Sequence, residues 1–233
     1  MVKLDFLETK KKIASSTATM LIEIKSVNIN SKKPFKLTSG AISPVYIDCR
    51  RIISFPKVRS KLMKYAEQVF ENEIGLNNFD SLAGGETAGI PFASFLAERM
   101  NLPMQYVRKK PKGFGKNSQI EGYLEERKKV LLVEDLATDG GSKFLFANAI
   151  REAGSYCNNI FVIFYYNIFK DAEIKLKEQN LNLSYLSTWW DVLNSMKISK
   201  QFDTKTIFEV ESFLENPKEW SEKNGGLIEH DNL

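Results

Sequence analysis

The stretch Val130-Leu131-Leu132-Val133-Glu134-Asp135-Leu136-Ala137-Thr138-Asp139-Gly140-Gly141-Ser142 decides how the rest of the chain is read. Four apolar residues open it, the composition of a strand buried on both faces of a parallel sheet. Two carboxylates, Glu134 and Asp135, stand at that strand's end. A small-residue turn follows, and then an apolar-periodic segment over residues 143–153 predicts a helix. A glycine turn leading into a helix start presents backbone N–H groups that can cradle an anion. The carboxylates would repel that same anion, so they suit hydroxyl groups or a cation beside it. A ligand with a phosphate at one end and a sugar diol next to it satisfies both halves. For this string alone, an ordinary βα turn with polar residues at a helix start is the alternative.

Alternation of strand and helix patterns extends on both sides. Residues 16–27 read as a helix, with Met20, Leu21, Ile24 and Val27 on one face, followed by a polar connection over 28–33. Residues 45–49 have strand composition. Pro56 suits a first helical turn, and Val58, Leu62, Tyr65, Ala66, Val69 and Phe70 then share one helical face. Strands are predicted over 79–83, 104–108, 130–134, 159–166 and 183–186. Helices are predicted over 90–100, 143–153 (closed by Gly154) and near 170–179, 190–198 and 205–215, with Asp203 or Thr206 available to cap the last. Residues 109–118 show no periodicity and read as a mobile loop. The implied class is α/β, a central, mostly parallel sheet flanked by helices. The whole of 1–233 reads as one domain. Its ends alternate less cleanly. Residues 1–50 and 180–220 are expected to form a small hood lobe over the sheet's C-terminal edge, where open α/β sheets bind ligands, and 221–233 to be a loose tail.

Composition bounds the chemistry. Of 233 residues, 43% are hydrophobic and 27% charged, enough for an ordinary core, and the net charge of +4 is too small to argue for nucleic acid. Cys49 and Cys157 are far apart and outside any CxxC, which points to buried thiols in a reducing cytoplasm. No signal peptide and no run of membrane-span length is visible. The single histidine, His230, stands three residues before the last. A histidine triad or a histidine-rich zinc site is therefore not expected, and the chemistry falls to carboxylates, Lys, Arg and backbone donors.

Three further stretches join the first. Arg108-Lys109-Lys110-Pro111-Lys112-Gly113-Phe114-Gly115-Lys116 puts five cations on a glycine-broken loop. Without an aromatic ladder beside it, this suits a polyanionic leaving group better than nucleic acid: such a loop can close, neutralise developing charge and exclude water. Ala83-Gly84-Gly85-Glu86-Thr87-Ala88-Gly89 is a tight turn between a strand and a helix, and glycine there allows a backbone to approach a ligand closely. Phe35-x-Leu37-x-Ser39-Gly40-x-x-Ser43-Pro44-x-Tyr46-x-Asp48 precedes both.

The 130–142 stretch lacks the P-loop pattern and the G-x-G-x-x-G fingerprint. It resembles the phosphoribosyl-pyrophosphate (PRPP) motif of type I phosphoribosyltransferases. Together with the 108–116 loop, the 83–91 turn and the 35–48 segment, it is similar to the orotate phosphoribosyltransferase family in that family's order along the chain. The resemblance implies the type I phosphoribosyltransferase fold and transfer of phosphoribosyl from PRPP to orotate in pyrimidine synthesis. It implies that Thr138, Asp139, Gly140, Gly141 and Ser142, entered through Leu136 and Ala137, hold the 5-phosphate, with Thr138 also approaching orotate. Glu134 and Asp135 would bind the ribose hydroxyls. Gly85, Glu86 and Thr87 would form the pyrophosphate turn, and Arg108, Lys109 and Lys112 would contact the pyrophosphate. Lys109, Lys112 and Asp135 would be catalytic. Magnesium would be held by PRPP oxygens and water rather than by a protein cage. A cytoplasmic homodimer with shared active sites is implied, without a nucleic-acid or membrane partner.

Three positions depart from the pattern. Phe114 stands where many relatives carry His or Tyr, and Thr38 where some carry Lys, with Lys36 two residues earlier. Tyr165-Tyr166-Asn167-Ile168-Phe169 contains no arginine where many relatives use one for orotate. The base carboxylate then needs another partner. A transferase for another base, or a PRPP-binding regulator on the same fold, are the other readings.

Overall fold

The computed structural model describes residues 2–37, 40–113, 119–138 and 141–226, with residues 2–5 described by their backbone alone. The first helix, α1 (Val2–Glu23), begins well before the helix expected over 16–27 and ends before it. Its apolar contacts are sparse: Phe6, Ile13 and Leu21 reach the core, while Glu8, Lys11 and Lys12 cover the exposed face. Lys25 takes a left-handed backbone, φ 57°, and stops it. Val27, expected on the helix, instead opens β1 (Val27–Ile29), and part of the expected polar connection is strand. Next come β2 (Phe35–Lys36), β3 (Ile42–Ser43) and β4 (Val45–Ile47). β1 pairs antiparallel with β4, and β2 with β3. The 3-10 turn Cys49–Ser54 follows, then α2 (Pro56–Val69), with proline in its first turn and Leu62, Met63, Ala66 and Val69 buried as the spacing predicts.

The sheet is built from the remaining strands. They are β5 (Ser81–Gly85), β6 (Met104–Val107), β7 (Ile120–Glu121), β8 (Lys129–Ala137), β9 (Tyr156–Tyr165) and β10 (Asn182–Thr188). Helix α3 (Gly89–Met100) joins β5 to β6, α4 (Gly141–Glu152) joins β8 to β9, and α5 (Asp171–Glu178) joins β9 to β10. The strand order is β10-β9-β8-β5-β6-β7. All neighbours run parallel except β7, which turns back on β6. This is the mostly parallel sheet that the alternating pattern implies. Side chains of β8 are buried from Val130 to Asp135, and the strand runs through both carboxylates to Ala137 instead of ending at Glu134.

Each face of the sheet has its own core. Leu131, Val133 and Phe161 pack with Phe70 and Phe92 on one side; Val130, Leu132 and Ile160 pack with Phe146 and Ile150 on the other. Helices α6 (Trp189–Ser199), α7 (Thr204–Glu215) and α8 (Pro217–Lys223) complete the chain. Thr188 and Asp191 form a reciprocal capping box for α6, and Asp203 caps α7 by accepting from the Thr206 N–H. Trp189 is fully buried, its ring edge-on to Phe164 at 5.2 Å, in line with a packing role. No loose tail begins at residue 221, since α8 runs to Lys223. Ser221 is buried, and its Oγ accepts from the Ile42 N–H at 2.8 Å, so the two ends of the chain meet there. Residues 227–233, with His230, lie outside the described residues. Both cysteines are buried and free. Among the described residues, no helix is long and apolar enough to cross a membrane.

Candidate active site

The parallel strands β5, β6 and β8 deliver three of the four singled-out stretches to one edge of the sheet, their shared carboxyl ends. Strand alternation sends the side chains of Glu134 and Asp135 to opposite faces. Glu134 turns toward α4. Its Oε2 lies 4.0 Å from Lys143 Nζ, and Lys143 in turn donates to Ser142 Oγ at 3.2 Å. The other oxygen, Oε1, is buried without a hydrogen-bond partner among the described residues. Burial pushes the Glu134 carboxyl up to about 7; the Lys143 ammonium pulls the other way, and the Asp135 charge adds to the rise.

The β5–α3 turn closes over that carboxylate, which explains its glycines. A Cβ on Gly85 would stand 1.6 Å from Glu134 Oε1 and 2.6 Å from Phe146, and one on Gly89 would stand 2.3 Å from the Val133 carbonyl oxygen. The next residue, Glu86, ties this turn to the neighbouring strand. Its N–H donates to the Val107 carbonyl at 2.9 Å, and its Oε2 accepts from the Lys109 N–H at 2.7 Å. The Glu86–Thr87 peptide bond is cis.

The cationic loop leaves from β6 and returns on β7. Its base is closed where the Arg108 N–H donates to the Gln119 carbonyl and Gln119 Nε2 donates back to the Arg108 carbonyl, at 2.8 and 3.0 Å. Arg108 Nη1 and Lys112 Nζ converge on Glu121 Oε1 at 3.3 and 4.0 Å. Lys109 and Lys112 are exposed, and Phe114 with the rest of 114–118 lies outside the described residues. At the end of β8, Leu136, Ala137 and Thr138 lead toward α4. Asp139 and Gly140 lie outside the described residues, and Gly141 and Ser142 form the first turn of α4, whose N–H groups and dipole favour an anion.

On the opposite face, Asp135 looks toward the Cys49–Ser54 turn, which packs against β8. Burial raises its pKa, opposed by Lys143, by the backbone N–H groups of Leu136 and Asp135, and by Arg50. Cys49, fully buried on this side, is pushed well up by burial and by the Asp135 and Asp48 charges. The pocket thus has a cationic loop, an anion-receptive helix start and a carboxylate on each face of one strand. Such a set can hold a polyanion at two points and hydroxyl groups between them.

Two residues of this neighbourhood escape sequence reasoning. Lys143 reads as the polar start of a helix. The available signal is that Lys143, Phe146, Ala147 and Ile150 form one stripe, which puts a lysine on the buried face. Arg50 follows the 35–48 segment with no local pattern to single it out; only the packing of its turn against β8 brings it near Asp135.

The phosphoribosyl transferase domain family model matches residues 51–178. An orotate phosphoribosyltransferase of Roseobacter denitrificans is 54% identical over 92% of this chain and 95% of its own length. Among solved structures, the orotate phosphoribosyltransferase from Aeropyrum pernix is similar with a TM-score of 0.67 and 29% identity, covering 77% of this chain and 97% of that one. Leishmania donovani UMP synthase is similar with a TM-score of 0.73 and 25% identity over 86% of this chain, which spans 42% of that protein's length.

Proposed function

The chain belongs to the orotate phosphoribosyltransferase family, and on that premise we propose that it transfers the 5-phosphoribosyl group of PRPP to orotate, giving orotidine 5′-phosphate and pyrophosphate in pyrimidine nucleotide synthesis. The reaction forms a bond from an orotate ring nitrogen to C1 of the ribose. The bond from C1 to the pyrophosphate oxygen breaks, its electron pair leaves with that oxygen, and the nitrogen gives up its proton to water. Charge moves from the base and the sugar onto the leaving group. The protein's tasks are to position both reactants and to stabilise that charge.

Each assigned residue has a place in this scheme. Thr138 and the α4 start at Gly141 and Ser142, with Asp139 and Gly140 between, take the 5-phosphate at the helix N-terminus. Glu134 and Asp135 receive the ribose hydroxyls; Glu134, pushed up to about 7, can carry a proton near neutral pH and donate as well as accept. Gly85, Glu86 and Thr87 offer backbone close to the pyrophosphate, and Arg108, Lys109 and Lys112 neutralise it as it leaves. Glu121 holds Arg108 and Lys112 in the free protein and would release them to the more highly charged pyrophosphate.

Magnesium fits as the companion of PRPP rather than as a resident ion. Ligand oxygens and water would hold it, as this ion usually keeps several waters; among the described residues no group of three His, Cys, Asp or Glu side chains is placed to hold a metal. When bound, the cation neutralises pyrophosphate charge. The two buried free thiols suit a cytoplasmic enzyme, and a homodimer in which each 109–118 loop serves the partner's site completes the reading.

What carries the reading is the convergence of the 85–87 turn, the base of the 109–118 loop and the end of β8 on adjacent parallel strands. The direct test mixes the protein with PRPP, magnesium and orotate and follows the ultraviolet absorbance of orotate. Loss of absorbance that requires all three supports the proposal; orotate unchanged at saturating PRPP contradicts it.

A further inference from the structure

Orotate differs from uracil by one carboxylate, and an enzyme that selects orotate must recognise that group. The segment after β9 holds no arginine: Asn167, in a left-handed backbone with φ 52°, uses its carbonyl to accept from Trp190 Nε1 at 2.9 Å, and the one cation close behind it is Lys170. The sheet face that carries Asp135 does have an arginine. We infer that Arg50 binds the orotate carboxylate and sets the preference for orotate over bases that lack it. The inference rests on the proposed reaction and adds to it the residue that reads the base.

Arg50 lies on the 3-10 turn that packs against β8 beside Asp135. Asp48 pins one edge of its guanidinium. Asp48 Oδ1 accepts from Arg50 Nε at 2.6 Å and from the Arg50 N–H at 3.2 Å. Nη2 makes a long contact of 3.4 Å to the Tyr46 hydroxyl, and Nη1 has no partner among the described residues. The side chain is 58% exposed. A guanidinium held at Nε and more than half exposed keeps terminal N–H groups available to take a carboxylate by paired hydrogen bonds.

Two nearby arginines are otherwise engaged. Arg51 Nε donates to the Ile24 carbonyl at 2.9 Å, and Arg59 Nη1 donates to the Ile53 carbonyl at 2.6 Å while its guanidinium covers the Phe95 ring. Lys170, which lines a cavity with Asn167 and Trp190, is the competing cation on the β9 side.

The test compares the wild-type protein with Arg50→Gln, Arg50→Lys and Lys170→Ala. Binding of orotidine 5′-phosphate is measured beside binding of uridine 5′-phosphate, which has the same sugar and phosphate without the carboxylate. We expect Arg50→Gln to weaken orotidine 5′-phosphate about 10- to 100-fold, the scale of a lost charged, paired hydrogen bond. Uridine 5′-phosphate affinity and the KM for PRPP should stay within about twofold, Arg50→Lys should fall between, and Lys170→Ala should leave the ratio of the two affinities unchanged. Equal weakening of both nucleotides would make Arg50 structural. An unchanged ratio in Arg50→Gln, or a loss that appears in Lys170→Ala instead, would overturn the assignment. Orotate turnover by the wild-type protein is scored separately: its absence defeats the proposed reaction, and its presence with an unchanged ratio in Arg50→Gln defeats only the role of Arg50.

Discussion

Glu134 and Lys143 face each other at 4.0 Å, Oε2 to Nζ, with less than a tenth of either side chain exposed. A carboxylate and an ammonium buried together beside a helix start gain from each other and lose to desolvation, and here desolvation prevails on the acid: Glu134 rises from 4.5 to about 7. In the unfolded chain the same carboxyl titrates at the ordinary value. Between those two values the folded protein therefore binds more protons than the unfolded one, and stability falls as pH rises through that window and levels off above about 7. Glu134→Gln removes this dependence. Thermal melts from pH 5 to 8 should show wild type and variant close at pH 5 and the variant more stable at pH 8 by on the order of 2–3 kcal/mol. A constant difference across that range would mean that Glu134 is not held protonated by the fold.

Gly85 has no room for a side chain. Its replacement by alanine would put Cβ 1.6 Å from Glu134 Oε1 and 2.6 Å from the Phe146 ring. Gly85→Ala should cost about 1–3 kcal/mol or more by overpacking, and should weaken PRPP binding because Glu134 has to move. Melting temperature and PRPP affinity measured together test this. A variant with unchanged stability and affinity would show that the β5–α3 turn does not press on Glu134.

Asp135→Asn keeps the shape and removes the charge on the face toward Arg50. If this carboxylate receives a ribose hydroxyl, kcat/KM for PRPP should drop by roughly 10- to 100-fold, corresponding to about 1.5–3 kcal/mol, with melting nearly unchanged. Full activity in the folded variant would remove Asp135 from the site.

Shared active sites make a quantitative prediction for mixed dimers. Lys112→Ala and Asp135→Asn subunits, each nearly inactive alone, are allowed to exchange. If the loop acts on the partner's site, each mixed dimer has one site with both residues intact. Random exchange makes about half of all dimers mixed, so about a quarter of wild-type activity should return. Exchange verified by mass without recovered activity would place the loop on its own subunit.

Strong periodic signals made the middle of the chain legible. The stripe from Val58 to Phe70 and the apolar run opening at Val130 both demand burial, and α2 and β8 form where those demands fall. Carboxylates usually end a buried strand, but β8 continues because Glu134 finds Lys143 and the cover of Gly85. Phe6, Ile13 and Leu21 recur too sparsely among charges to mark the start of α1. At the site, the loops and glycine turns announced themselves by composition. Lys143 and Arg50 did not, since each takes its position from a tertiary contact: one is buried under β8 by α4, and the other is carried to Asp135 by a turn distant in sequence.

Product analysis tests the transfer of phosphoribosyl to orotate most directly. The protein is incubated with PRPP and magnesium together with orotate, uracil, hypoxanthine or adenine in separate reactions, and nucleotide and pyrophosphate are quantified. The account predicts one orotidine 5′-phosphate and one pyrophosphate for each PRPP consumed with orotate, and no comparable nucleotide with the other three bases. Nucleotide formed from another base in preference to orotate, or PRPP bound tightly with no product from any base, would contradict it.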